Sequence, residues 1–196
     1  MSNRYIIPVG KEWSISRLEE LHPPLDPAIC LNLAARYHIQ SWILPAVCQL
    51  LDRFENGGRR IRAITDMEIG VMGIAAYSAI GRADKAIRAE RYKVCRAQIA
   101  LYHDAPDCRV GLGARRKCED SWNLTLQTKM PGILLNPDSY TPLADLPSVL
   151  STLYFPNVNV VCKALSIEKL KASHCVTIEE TIKQLAADKL WEQFGP

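Results

Sequence analysis

The chain lacks any apolar run long enough to cross a bilayer. Its longest, such as Trp42 to Val47, stop far short of the roughly 20 residues a spanning helix needs. After Met1 comes a polar Ser-Asn-Arg start and only the short patch Tyr5-Ile6-Ile7-Pro8-Val9, which is no signal-peptide core. A strong charge bias is missing too: 24 basic against 21 acidic residues leave +3, too little to select nucleic acid or an acidic membrane by bulk charge. No Val/Ile/Thr alternation is long enough for a sheet, and there is no internal repeat and no low-complexity tract. The seven cysteines are odd in number and scattered without a paired rhythm, so reduced thiols are expected. These absences imply an intracellular protein, cytoplasmic or nuclear.

What is present is helical periodicity with its punctuation. Ser14 can cap a short helix carrying Ile15, Leu18 and Leu21, which Pro23-Pro24 would end. Asp26 reads as an N-cap with Pro27 in the first helical position, and Ile29, Cys30, Leu33, Ala34 and Tyr37 follow as the expected core face. After a tight link at Ser41, Trp42, Ile43, Val47, Leu50, Leu51 and Phe54 form the next stripe, with Gly57-Gly58 closing it. Thr65-Asp66-Met67-Glu68 has the form of a capping box. A helix from Ile69 to Ile80, a break at Gly81 and a long amphipathic helix from Arg82 to Tyr102 are predicted next.

Asp104 to Lys117 carries Pro106, Gly111 and Gly113 without apolar rhythm, and reads as a loop between two subdomains. Beyond it, Trp122, Leu124, Leu126 and Met130 predict a short helix, and Pro131 to Pro142 a connector; Leu143–Tyr154 and Asn159–Ala172 predict further helices. Thr177-Ile178-Glu179-Glu180 looks like a second capping box opening the last helix, with Ile178, Ile182, Leu185, Ala186 and Leu190 on its buried face. The expected fold is therefore all-α, about eight helices in two abutting subdomains. Residues 1–13 would be an extension, 14–103 and 119–196 the subdomains, and 104–118 an irregular loop.

Candidate chemistry is thin. His103, Cys108 and Cys118 sit on or beside that loop, and thiolate with imidazole is what zinc favours. Zinc ligands usually come as a tight pair such as C-x-x-C, and the chain has none, so buried thiols are the leading reading and no cofactor is assigned; Cys162, His174 or Cys175 are the distant candidates to complete a site. Cys30, Cys48 and Cys95 lie in helix-patterned segments and are assigned to packing. His174-Cys175 are neighbours in sequence, but no Gly-x-Ser-x-Gly elbow or other nucleophile signature accompanies them, so no enzyme is expected. Val110 to Lys117 is half of a dinucleotide fingerprint with no preceding strand and no third glycine. Basic groups at Arg59-Arg60-Arg62, along Arg82, Lys85, Arg88, Arg91, Lys93 and Arg96, and at Arg115-Arg116-Lys117 could meet phosphates, yet no aromatic platform interleaves them.

Several separated pieces share one likeness: Leu21-His22-Pro23-Pro24-Leu25-Asp26-Pro27 running into Leu31 to Ile43; Cys108 with Cys118-Glu119-Asp120-Ser121-Trp122 and Lys129; Pro142-Leu143-Ala144-Asp145-Leu146; and Phe155-Pro156-Asn157-Val158-Asn159 before Cys162-Lys163. In order and spacing, from Leu18 to the end, they resemble the helical region that follows the BTB domain in proteins of mushroom-forming fungi. The resemblance implies a helical, non-catalytic protein-protein interaction module. Only the first score of residues precede the matching region, so BTB dimerisation and cullin recruitment cannot be carried onto any residue here; a stand-alone remnant or a late-starting gene model is the expectation. Leu21–Leu25 and the loop Asp104–Lys117 are the candidate surfaces for a protein partner. A nucleic-acid-associated regulator using the basic helix face and a zinc-stabilised structural domain are the alternatives.

Overall fold

The computed structural model describes residues 8–20, 25–55, 64–106, 108, 111–136 and 141–195. Among them there are helices and no strand, as the periodicity implies: α1 (Pro8–Glu19), α2 (Pro27–Tyr37), α3 (Ile43–Glu55), α4 (Asp66–Met72), α5 (Ile74–Arg96), α6 (Leu112–Leu134), α7 (Leu146–Thr152), α8 (Val160–Lys171) and α9 (His174–Phe194). Single 3-10 turns at Gln40–Trp42 and Leu143–Asp145 lead into α3 and α7. No helix among these residues is long and apolar enough to cross a membrane. The expected terminators Pro23-Pro24 and Gly57-Gly58, the cluster Arg59-Arg60-Arg62 and most of the surface Leu21–Leu25 lie outside the described residues.

Local chemistry sets several boundaries. Asp26 Oδ1 accepts from Ala28 N–H at 2.8 Å with Pro27 behind it, and His38 turns left-handed (φ 53°) to end α2. Thr65 and Glu68 form the capping box of α4. There the pattern and the backbone part company. The break after α4 falls at Gly73, whose φ of 86° and ψ of 152° suit only glycine, and α5 then runs through Gly81 unbroken for 23 residues, about 35 Å. Gly81 has only the negative-φ backbone of a helix to adopt, so it terminates nothing.

Other expectations also shift. α1 starts at Pro8, so Ser14 is interior and its hydroxyl donates to Gly10 O (2.8 Å); residues 8–13 belong to a helix. The buried face of α2 is Ala28, Leu31 and Ala34, while Ile29 and Tyr37 are exposed. The supposed short helix around Trp122 is 23 residues long and swallows both Arg115-Arg116-Lys117 and Pro131, so the loop Asp104–Lys117 ends at Gly111. Thr177 opens nothing: α9 starts at His174, and the Thr177 hydroxyl donates back to His174 O at 3.2 Å.

Two large apolar cores and a small third one result among the described residues. The first gathers Leu31, Ile43, Val47, Leu50, Leu51, Ile80 and Ile87. The second gathers Trp122, Met130, Leu143, Leu146, Leu150 and Leu170, with Trp122 stacked on Phe155 at 4.5 Å between ring centroids. They do not divide at residues 104–118. α5 contributes Ile80 and Ile87 to the first and Val94 to the second, and α9 places Ile178 against the second and Leu190 in the first. Where these two helices cross between the cores, Arg91 Nε donates to Glu179 Oε1 at 2.5 Å in full burial, and Glu179 Oε2 accepts Leu143 N–H at 3.1 Å.

Candidate metal centre

Between α5 and α6 the chain crosses the second core as a strap, residues 97–105. Trp122 Nε1 donates to Ile99 O at 2.7 Å and Tyr102 N–H donates to Ser166 Oγ at 2.8 Å, so the strap is held from α6 on one side and α8 on the other. Ser166 is itself fully buried, and its hydroxyl donates to Cys162 O at 2.8 Å. The strap's end therefore delivers His103, and shortly after it Cys108, into the angle between these helices.

There four donors meet. One ring nitrogen of His103 and the Sγ atoms of Cys108, Cys118 and Cys162 all lie within 4.8 Å of one another. The three cysteines are 5%, 1% and 0% exposed, and with Ala105, Leu101 and Val158 they form a small third core. A tetrahedral zinc ion with Zn–S bonds of about 2.3 Å has ligand-to-ligand edges of about 3.8 Å, so the observed spread closes with movements of about 1 Å. All three expected candidates, His103, Cys108 and Cys118, are thus brought together with one of the distant completions, Cys162. The other two are not: His174 is exposed at the start of α9, and Cys175 packs against the second core.

The surroundings favour a thiolate at Cys162. Burial alone would raise the Cys162 thiol, but backbone N–H groups of Ala105 and Asp104, with the Cys108 and Cys118 thiols, outweigh it and hold Cys162 below its ordinary value. Cys162 also lies in the first turn of α8, capped by Asn159 accepting from Val161 N–H at 2.9 Å, where the helix dipole favours an anion. Asn159 N–H itself donates to Cys118 Sγ at 3.5 Å. Cys108, by contrast, is pushed up to about 11 by burial and by its two thiol neighbours, because three sulfurs this close cannot all ionise without a cation. A divalent ion removes that conflict.

His103 completes the set. Its side chain is 7% exposed, its Nε2 lies 2.9 Å from Glu119 Oε1, and its Nδ1 is buried without a hydrogen-bond partner among the described residues. Arg115 Nε donates to the same Glu119 oxygen at 3.2 Å. The His103 ring and, against the cost of burial, Arg115 hold the Glu119 carboxyl below the usual carboxylate range. Glu119 and Ser166 carried no sequence signal of their own. Four residues separate His103 from Cys108 and nine separate Cys108 from Cys118, looser than the usual zinc spacing, while Cys162 arrives from another helix.

The basic helix face is not a free stripe. Arg91 is buried against Glu179, Arg88 pairs with Asp84 and Lys93 with Glu90, so three of the six cations on α5 face carboxylates, while Arg82, Lys85 and Arg96 are exposed. No protein-family model, no curated protein and no solved structure matches this chain.

Proposed function

We propose that the chain is a non-catalytic helical domain whose second core is stapled by one structural zinc ion, and that it works as a protein-protein interaction module of the kind its likeness to the region after fungal BTB domains implies. One observation carries this reading: a histidine nitrogen and three buried thiols from three separate segments converge within 4.8 Å. Three thiolates and an imidazole fill all four positions of tetrahedral zinc. A closed site of this kind leaves no position for water or substrate, which is the signature of a structural centre and not of a hydrolytic one.

Binding displaces three thiol protons and leaves the ion and its ligands with a net charge of −1, so uptake strengthens as pH rises. The ion would join the strap, α6 and α8, the elements that carry the second core. None of the four donors belongs to the first core, so the metal-free chain keeps that core, and chelation loosens the second, where only the Trp122 donor and the Ser166 acceptor still tie the strap.

Elemental analysis with light scattering on the purified chain tests it. One zinc per monodisperse chain is expected, released by chelator with partial loss of helicity. Cys118→Ser and Cys162→Ser should each bind zinc at least tenfold more weakly. A chain that takes up no zinc and is indifferent to chelator overturns the proposal.

A further inference from the structure

Resting on the zinc reading, we infer that His103 binds the ion through Nδ1, and that Glu119 is the positioning residue that makes it do so. An imidazole offers two nitrogens, and which one ligates is set by what the other is bonded to. An ionised carboxylate can only accept, so the 2.9 Å contact with Glu119 Oε1 puts the ring proton on Nε2. Nδ1 then carries the lone pair. It is also the buried side-chain nitrogen with no partner among the described residues, on a ring whose neighbours are three sulfurs.

The opposite arrangement fails on the same accounting. With Nε2 on the metal, the Glu119 carboxylate would lose its ring donor, and an Nδ1 proton would be left where Nδ1 now has no acceptor, at a cost of about 1–3 kcal/mol for the unmet group. Ligation through Nδ1 satisfies both nitrogens at once. The Nε2–H bond to the carboxylate also makes the imidazole a stronger donor to zinc, and Arg115, on the same oxygen at 3.2 Å, helps keep that carboxylate ionised and in place. Because the Glu119 side chain is 42% exposed, it can be changed without opening the core.

The test uses the full chain, zinc with a competing chelator, and cobalt(II) as the spectroscopic probe. Glu119→Ala should weaken zinc binding about 10–100-fold. Glu119→Gln, which keeps an oxygen acceptor for Nε2–H while losing the charge, should lose clearly less. Both variants should retain the thiolate-to-cobalt absorption of the wild-type chain, which reports that the three sulfurs still ligate. Nitrogen-15 imidazole spectra of the zinc-loaded wild type should show Nδ1 metal-bound and Nε2 protonated. Wild-type affinity in Glu119→Ala, equal losses in the two variants, or a metal-bound Nε2 overturns the assignment while leaving the zinc site standing. A wild-type chain that binds neither metal removes the zinc reading itself.

Discussion

Removing the Glu179 carboxylate should destabilise the whole molecule, although the residue is not among the four candidate metal donors. Arg91 and Glu179 have side chains only 6% and 3% exposed, and their 2.5 Å contact joins α5 to α9 between the two cores. Taking away one member of a buried ion pair leaves the other charge less compensated in a medium that solvates it poorly, which costs about 3–5 kcal/mol. Glu179→Ala also removes the acceptor of Leu143 N–H, at the turn that starts the second core's α7. Against a total stability of about 5–15 kcal/mol, such a loss is a large fraction. For a urea slope of about 2 kcal/mol per M, it moves the unfolding midpoint down by roughly 2 M. The double variant Arg91→Met with Glu179→Leu, which replaces the pair by apolar groups, should recover most of that loss, because the pair's own net contribution is small. Equilibrium urea unfolding, followed by far-ultraviolet dichroism, distinguishes the cases. A Glu179→Ala midpoint within about 0.5 M of wild type, on the same slope, would refute the argument that this carboxylate neutralises a buried guanidinium.

Two further outcomes follow from the first core. Glu68 accepts from Thr65 N–H (2.7 Å), Thr65 Oγ (2.8 Å) and Arg53 Nη1 (2.8 Å), while Arg53 Nη2 reaches Asp26 at 3.1 Å. The Thr65 backbone bond, with the Thr65 hydroxyl and Arg53 and against the cost of burial, lowers the Glu68 carboxyl to about 2 from an ordinary value of 4.5. The unfolded chain therefore binds the extra proton first: the stability this carboxylate contributes is complete above about pH 4.5 and is lost as pH falls toward 2, and urea midpoints across that window should fall less steeply for Glu68→Gln than for wild type. Gly73→Ala should cost about 1–3 kcal/mol by the same assay, all of it backbone strain, since an added Cβ meets nothing within 4 Å while φ is 86°.

The helices were legible where a cap or a period of 3.6 stated them locally. Asp26-Pro27, Thr65 with Glu68, and Asn159 all sit where their side chains say they should. Errors arose where one residue type serves two purposes. Gly73 and Gly81 look alike in sequence, yet only the first is at a positive φ. Thr177-Ile178-Glu179-Glu180 has the spelling of a capping box, but α9 has already begun at His174, Glu180 pairs with Lys183, and Glu179 is taken by Arg91, 88 residues away. Arg91 belonged to a basic stripe on paper for the same reason: its partner lies on a helix that no local pattern connects to it.

The metal donors show the same division. Cys108, Cys118 and His103 stood out because thiol and imidazole near an irregular segment carry chemistry wherever they occur, and Cys162 was one of three remote completions with nothing local to rank them. Tertiary structure ranked them: the start of α8 lies against Cys118 of α6, which puts Cys162 within 4.8 Å of the others, while the start of α9 leaves His174 exposed. What the sequence determined by itself was helix content, most helix starts and the absence of a spanning helix, all properties of neighbours along the chain. Only the fold decided which long helices share two cores, which charges are paired and which four potential metal donors converge, because those depend on distances between segments that are far apart in sequence.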